Sequence, residues 1–256
     1  MVELLLAVAL LTMVLGVLQT VGMAVYQAST YNNGHSEAAQ HARVALDRIT
    51  RTANQAKANE QFPGFLVVPE QVGTRQFPDA LVVWHPTGSA ANPTGLPQFN
   101  ELVIYCPSLS GANQLVEITV PNDTRTVPSP SNMTSWASEI AAIRASKTSN
   151  TVVLTNLLRT CKPSGASSAA SLGAVRFAAS LRPSDSDWSA YKAGTLAWDR
   201  LPWVQGIYGA QTGLRQSWVR IEIQLVPGDE IQAAQAGAQQ PVPYVGSAAV
   251  YYQVQR

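Results

Sequence analysis

Few side chains in this sequence have the types and spacing that catalysis or metal binding requires. The chain has three histidines, His35, His41 and His85. There is no Cys-x-x-Cys pair, so the ligand set of a zinc site is missing. The acid pairs Asp185 with Asp187 and Asp229 with Glu230 have oxygen ligands that calcium prefers, but each pair alone is too small for a site. Because nucleophile-elbow, phosphate-loop and zinc-protease motifs are also absent, we predict no metal, no cofactor and no enzymatic activity.

The two cysteines, Cys106 and Cys161, each lie near the end of a predicted strand. In an oxidising compartment they would form one disulfide that closes a long loop, which the loop-entropy model credits with about 4 kcal/mol. The alternative is a pair of unbonded, partly buried thiols. We predict the disulfide in protein from an oxidising compartment.

Glu3 is the one acidic residue before a long uncharged segment, which extends over residues 4–36. A carboxylate at the edge of a membrane-spanning helix is unfavourable unless it is paired or reaches the interface. The N-terminal ammonium of a neighbouring subunit would pair it and would fix the register between bundled helices. The alternative is an ordinary acidic residue near a helix N-terminus, which the helix dipole favours.

The apolar segment after Glu3 is long enough to cross a bilayer. Its main apolar residues are Leu4, Leu5, Leu6, Val8, Leu10, Leu11, Val14, Leu15 and Leu18. A transmembrane helix needs roughly 20 such residues, and the segment reaches that length at Tyr26, where interfacial aromatic residues belong. A secretory signal peptide has a shorter apolar core that follows a basic region. We predict a single-pass anchor in residues 1–30, with a cleaved signal peptide or a buried soluble helix as the alternatives.

Residues 31–61 predict an amphipathic second half of the same helix. Apolar residues recur at spacings of three and four and would form one buried face: Ala39, Ala42, Leu46, Ile49, Ala53 and Ala56. The segment 32–34 would either break the helix or lie inside it, since an isolated glycine costs only about 1 kcal/mol against alanine. We predict one helix over residues 2–60.

Residues 62–256 predict a β-rich globular body. Seven candidate strands are separated by segments rich in Pro, Gly, Ser and Asn: 65–68, 80–85, 101–106, 115–120, 151–157, 174–181 and 217–226. A short helix is predicted at 135–145, with Thr134 as its N-cap. The fold class is therefore α+β, a long N-terminal helix packed on a mainly antiparallel sheet.

The charge balance argues against polyanion binding. The chain has 17 Lys and Arg against 16 Asp and Glu, a net charge of +1, so nucleic acid is not indicated as a partner. Several aromatic residues of the body would line a binding surface or, as is more usual, fill cores and anchor loops: Trp84, Trp188, Tyr191, Trp198, Trp203 and Tyr208.

The opening run Met1-Val2-Glu3-Leu4-Leu5-Leu6-Ala7-Val8-Ala9-Leu10-Leu11 closely resembles the N-terminus of type IV pilins and type II secretion pseudopilins. In that family a prepilin peptidase cleaves after a glycine, the new N-terminus is methylated, and a glutamate at the fifth mature position precedes the apolar helix. The resemblance implies that Glu3 is this glutamate and that the mature chain starts two residues before Met1. The body weakly resembles J-type minor pseudopilins at 42–49, 201–204 and 219–223. Many major pilins have a helix-kinking proline where this chain has residues 19–22, Gln-Thr-Val-Gly.

The resemblance implies a structural function. We expect a minor pilin or pseudopilin, held in the bacterial inner membrane by one span, with its body outside the cytoplasm, that assembles into a type IV pilus or a type II secretion pseudopilus. The expected partners are other pilin or pseudopilin subunits through the N-terminal helix, the inner membrane with its assembly platform, and the prepilin peptidase. Two alternatives use the same anchor: an extracytoplasmic enzyme and an adhesive tip or binding module.

Overall fold

The computed structural model describes residues 2–72, 75–146, 148–162, 171–227 and 242–256. Within these residues the α-helices are Val2–Asn54 (α1), Met133–Ala145 (α2), Asp185–Lys192 (α3) and Ile207–Thr212 (α4). The strands are Phe65–Val72 (β1), Arg75–Trp84 (β2), Leu102–Pro107 (β3), Leu115–Thr119 (β4), Asn150–Thr155 (β5), Thr160–Cys161 (β6), Leu172–Gly173 (β7), Val175–Arg182 (β8), Leu214–Leu225 (β9) and Val242–Gln253 (β10). The α+β class is confirmed, and each of the seven predicted strands falls on an observed strand.

The first sheet is an antiparallel meander in the order β1-β2-β3-β4-β5. Strands that are consecutive in sequence are neighbours in the sheet, although the connections β2–β3 and β4–β5 are long and the latter contains α2. All six residues of β3, at the centre, are buried, because both faces of the sheet are covered. One face lies against α1 and the second sheet, and the other lies against α2.

The second sheet has the order β10-β9-β8 and is also antiparallel. Along β9 the inward residues are buried and alternate with more exposed ones, as the period-two pattern predicts. Strand β10 was not predicted from the sequence, although it pairs with β9 over its full twelve residues. The short strands β6 and β7 form a separate two-stranded sheet.

The main core lies between α1 and the two sheets. It contains the small helix residues together with apolar residues of both sheets: Ala42, Ala45, Ile49, Phe65, Leu81, Val83, Tyr105, Phe177, Val219, Ile221 and Val250. A second core fills the space between the meander and α2, around Trp84 and Trp136, and a third is built from aromatic residues near Trp198. The second half of α1 is therefore an integral element of the body.

The structure corrects two predicted helix boundaries. Helix α2 starts at Met133, and its N-cap is Asn132, whose side chain accepts a hydrogen bond of 3.1 Å from Ser135 N, in place of the predicted Thr134. Helix α1 ends at Asn54, six residues before the predicted end. Beyond it, Lys57 N donates to Trp84 O at 2.8 Å and the Asn59 amide donates to Gly95 O at 2.8 Å, so tertiary partners replace the helical ones.

Candidate membrane and assembly helix

The first half of α1 protrudes from the body. Residues 2–33 are all exposed, and an 18-residue window of the helix has a mean hydropathy of 2.4 with none of it buried. The nine predicted anchor residues lie in this part, with exposed fractions between 50% and 71%. The helix is long and apolar enough to cross a membrane, a property that it shares with signal sequences. None of this apolar window is buried in the body, whereas the core helix of a soluble protein would be mostly buried.

The few polar side chains of this half satisfy their hydrogen bonds within the helix. Thr12 Oγ1 donates to Ala9 O at 2.8 Å, and Thr20 Oγ1 donates to Val17 O at 2.8 Å. Such bonds remove most of the penalty that a hydroxyl would otherwise meet in hydrocarbon. The segment therefore behaves as an apolar surface despite its threonines.

Two glycines, which have no side chain, leave the backbone of this part of the helix uncovered at two positions. A Cβ added at Gly16 or Gly22 would meet no described atom within 4 Å. Small residues of this kind let the backbone of a second helix approach closely, where packing contacts are strongest. Both positions are suited to contact with another helix.

Glu3 lies in the first turn of α1 and is exposed. The helix dipole favours a carboxylate at this end. Among the described residues of the chain, none forms an ion pair with it. Its charge is thus available for a group outside the described part of the molecule.

The helix continues without interruption through residues 32–34, which confirms the prediction of one helix at this point. The rings of Tyr31 and His35 contact each other across this segment in a tilted arrangement, with centroids 4.0 Å apart. From Ala38 onward α1 enters the body, so the same rod belongs to both the apolar protrusion and the core.

Small residues determine how closely α1 approaches the second sheet. The buried face of the helix consists of Ala38, Ala42, Ala45, Ile49, Thr52 and Ala53. This corrects the predicted face, because Ala39 is exposed and Leu46 is half-buried. On β10, Gly246 faces the helix, and a Cβ there would lie 3.2 Å from Leu46 and 3.3 Å from Thr50. A side chain at this point of the strand would therefore press on α1.

A bidentate ion pair joins α1 to the meander. Arg48 donates through Nε and Nη2 to the two Glu117 carboxylate oxygens, each at 2.9 Å, and Tyr105 Oη donates to Oε2 at 3.1 Å. The Glu117 side chain is only 8% exposed, whereas that of Arg48 is 57% exposed. The hydrogen bonds from Arg48 hold the pKa of Glu117 below its usual range. Nearer the protrusion, His41 Nδ1 lies 3.2 Å from Thr155 Oγ1 and makes a further contact with β5.

The predicted disulfide is wrong for this structure, in which both cysteines are free. Cys106 points into the core beneath α2, whereas Cys161 lies in the separate two-stranded sheet, with Sγ 3.7 Å from Leu172 O. The two side chains therefore belong to different layers. Burial raises the pKa of Cys106 to about 12, so this thiol is unreactive at neutral pH.

The described acid pair and the tryptophans of the predicted set have structural roles. Asp187 caps α3 in a reciprocal arrangement with Ser184, and Asp185 pairs with Arg215 at 2.8 Å. Asp229 and Glu230 lie outside the described residues. No group of three potential metal ligands occurs among the residues that the structure describes. The tryptophans of the set are all buried, while Tyr208 is 72% exposed.

A buried polar cluster under α2 was not predicted from the sequence. Asp79 is 2% exposed and its Oδ1 has no hydrogen-bond partner, while Arg144 Nη1 donates to Glu70 Oε2 at 3.1 Å. The three side chains line a cavity of about 250 Å³ between β1 and α2. Burial, followed by the charge of Glu70, raises the pKa of Asp79 to about 7. The sequence signal for this cluster was a charged residue next to Pro78 in an apolar strand. In the structure, Pro78 and Asp79 of β2 together oppose Pro69 of β1 in a β-bulge.

A cleft of about 720 Å³ also opens between the two sheets, beside β1 and β8. Its inner wall contains Arg215 and Ser217, at inward positions where β9 elsewhere has Val and Ile. Ser217 is 1% exposed and its hydroxyl has no partner. The core between the sheets is therefore open at this end.

Comparisons with protein-family models, with curated proteins and with solved structures found no match for the chain.

Proposed function

We propose that this chain is a structural subunit, a minor pilin or pseudopilin, that is anchored in the bacterial inner membrane by the first half of α1 and assembles through the same helix into a type IV pilus or a type II secretion pseudopilus. Its body lies outside the cytoplasm in this proposal. The role is one of assembly and contact, without catalysis.

One observation supports this proposal above the others: a single 53-residue helix is fully exposed and apolar in its first half and buried in the body in its second half. Exposure of this long apolar surface to water is unfavourable by roughly 25 cal/mol for each Å². Lipid would cover it before assembly, and the helices of other subunits would cover it in a filament. A cleavable signal has no need of such a connection to the core of the body.

Glu3 gives this apolar helix a polar reference point. Packing between apolar helices alone specifies axial position poorly, whereas a buried ion pair specifies it well. The ammonium group of a neighbouring subunit would supply the positive charge that the described residues do not provide. The opening-sequence resemblance to pilins and pseudopilins supports the same assignment.

The test separates insertion from assembly. The chain, joined to a prepilin leader, is expressed in a bacterial strain that assembles pili or pseudopili, as wild type, as Glu3→Gln and as Glu37→Gln. We expect Glu3→Gln to reach wild-type levels in the membrane but to be depleted from sheared filaments. Removing one member of a buried pair costs about 3 to 5 kcal/mol, and an exposed pair is worth about 0 to 1 kcal/mol, so a partly hydrated pair falls between these values.

Glu37→Gln is the matched control, because it removes an exposed carboxylate from the same helix outside the apolar segment. It should leave both membrane and filament levels unchanged. Equal incorporation of wild type and Glu3→Gln would contradict the register role of Glu3. Absence of the wild-type chain from both the membrane and the filaments would contradict the proposed function itself.

A further inference from the structure

The two main sheets end at four edge strands among the described residues, and β5 and β8 are two of them, on different sheets. We propose that β5 of one copy of this chain pairs with β8 of another copy in the assembled filament. This inference rests on the proposed function and names a second, directional subunit contact besides the helices.

The edge of β8 has backbone groups that are free to pair. Its only strand partner among the described residues is β9. Gln224 N donates to Ala174 O at 2.9 Å, so the regular alternation of an antiparallel pair directs the peptide groups of Ala179 and Leu181 away from β9. These groups are the ones that an added strand would bind.

Each edge has a short stretch that lacks the usual protection against such pairing, and a register shift between Val153 and Thr155 limits this stretch on β5 to its first four residues. Edge strands are normally guarded by charges, prolines or bulges. Residues 177–181 of β8 read Phe-Ala-Ala-Ser-Leu, and β5 reads Asn-Thr-Val-Val-Leu-Thr, so these stretches have no charge and no proline, whereas Arg176 and Arg182 flank the stretch on β8. Residues 178–180 are exposed, and on β5 Val152 and Val153 are 55% and 51% exposed. By contrast, Phe65 and Leu66 on the neighbouring edge strand β1 are buried.

The two edges belong to different sheets. Strand β8 packs over β1 and β2, at one end of the meander, and β5 is the strand at the other end. A contact between two different surfaces of the same chain is heterologous, and it generates an open array when the rotation between copies does not close. The position of the edges thus suits a filament better than a closed dimer.

The cleft beside β8 provides room for the side chains of an added strand. It is lined on one side by Ala179 and Leu181 and on the other by Phe65 and Val67. Alternate side chains of a strand placed along β8 would enter this space, where the Ser217 hydroxyl has no partner. The open end of the core is therefore the part of the surface that a second copy would complete.

A few hydrogen bonds between strand edges would bind two copies only weakly, but association of the α1 helices would strengthen the contact. Once α1 helices of two copies are bundled, pairing of their bodies becomes intramolecular in effect and takes place at a high effective concentration. The helix contact supplies affinity without strict direction, and the strand contact supplies direction. The two contacts therefore have separate measurable signatures.

Disulfide cross-linking tests the pairing, since a disulfide forms only when the two Cβ atoms come within about 4.5 Å. Full-length Val153→Cys and Ala179→Cys variants, each with Cys161→Ser, are purified with tags of different size, mixed, and reconstituted in phosphatidylcholine vesicles. A Val14→Cys variant with Cys161→Ser reports helix contact in parallel vesicles. Cys106 stays, because it is fully buried. After oxidation we expect a dimer that contains both tags, and none from either edge variant alone.

The matched control pairs Ala179→Cys with Tyr251→Cys, an exposed site on β10, and should give no dimer. A control dimer, or a dimer from either edge variant alone, would overturn the specific β5–β8 contact. If Val14→Cys cross-links but the mixed edge variants do not, the strand proposal fails and helix assembly stands. If the mixed edge variants cross-link and Val14→Cys does not, the strand contact holds and the helix-based function fails. Loss of both signals would overturn both proposals.

Discussion

Replacement of Asp79 by asparagine tests how the protein tolerates a carboxyl group under α2. The residue is 2% exposed and one of its oxygens lacks a hydrogen-bond partner, while Glu70 and Arg144 line the same cavity. An asparagine has nearly the same shape as a protonated aspartic acid and cannot ionise. The variant therefore removes the titration and keeps most of the packing.

The magnitude follows from the pKa of about 7 that burial and Glu70 give to Asp79, against 3.8 for an ordinary carboxyl. The pKa of Asp79 in the folded state lies above that in the unfolded state. The contribution of the protonated group to the unfolding free energy is therefore fully present below about pH 4 and is lost as the pH rises to about 7. The full difference corresponds to at most about 4 kcal/mol above pH 7. We expect Asp79→Asn to match the wild type at pH 4 and to exceed its unfolding free energy at pH 8 by about 1 to 4 kcal/mol.

Urea unfolding of the full chain in detergent micelles measures this effect. Tryptophan fluorescence is a suitable readout, because Trp136 of α2 is fully buried in the adjoining core. Midpoints are taken for both proteins at pH 4, 6 and 8. The relevant quantity is the difference between the two proteins at each pH, since groups common to both cancel.

Asp123→Asn provides a control of opposite sign. Hydrogen bonds from Arg125 lower the pKa of Asp123, so its stabilising contribution is present above the unfolded value and is lost as the pH falls through the folded one. That variant should be less stable than wild type at pH 8, and the deficit should shrink toward acid pH. A pH-independent difference between Asp79→Asn and wild type would refute the reasoning about the buried carboxyl.

The packing of α1 on the body gives two further predictions. Arg48→Met leaves the Glu117 carboxylate with the Tyr105 hydroxyl as its remaining partner and should lower the unfolding free energy by about 1 to 3 kcal/mol in urea titrations. The double variant Arg48→Met with Glu117→Gln should lose less unfolding free energy, because no carboxylate is left unpaired. Equal losses in the two variants would contradict this prediction. Gly246→Val should lower the unfolding free energy by about 1 to 3 kcal/mol, because the added side chain meets α1, and Gly246→Ala should lose less since the end of Leu46 can move. Three identical midpoints would show that the approach of helix and strand is not tight.

The sequence predicted the helix and strand whose own apolar pattern is regular. The uncharged segment after Glu3 indicated an exposed apolar helix, and the alternation around Val219 and Ile221 indicated β9. Strand β10 was missed because Gly246, Ser247 and two alanines interrupt its apolar alternation. Its long pairing with β9 and its contact with α1 stabilise it, and both are tertiary effects.

The remaining errors have the same origin. Ala38 and Ala39 are the same type of residue, and the position of the body beside α1 selects Ala38 for burial. The end of α1 depends on a carbonyl of Trp84 that accepts from Lys57, a contact 27 positions apart in sequence. Likewise, Asp79 enters the space under α2 because of a bulge, which a strict strand pattern does not include.

The continuity of α1 has a mechanical consequence. At 1.5 Å per residue its 53 residues form a rod of about 80 Å, and the exposed part measures about 48 Å. A hydrocarbon core is about 30 Å thick, so a span that starts near Glu3 would hold the body roughly 18 Å beyond the apolar layer. No flexible joint lies between span and body, and the Arg48 pair and the Gly246 contact hold the rod in place. Any lift or rotation of the helix would therefore lift or rotate the body by the same amount.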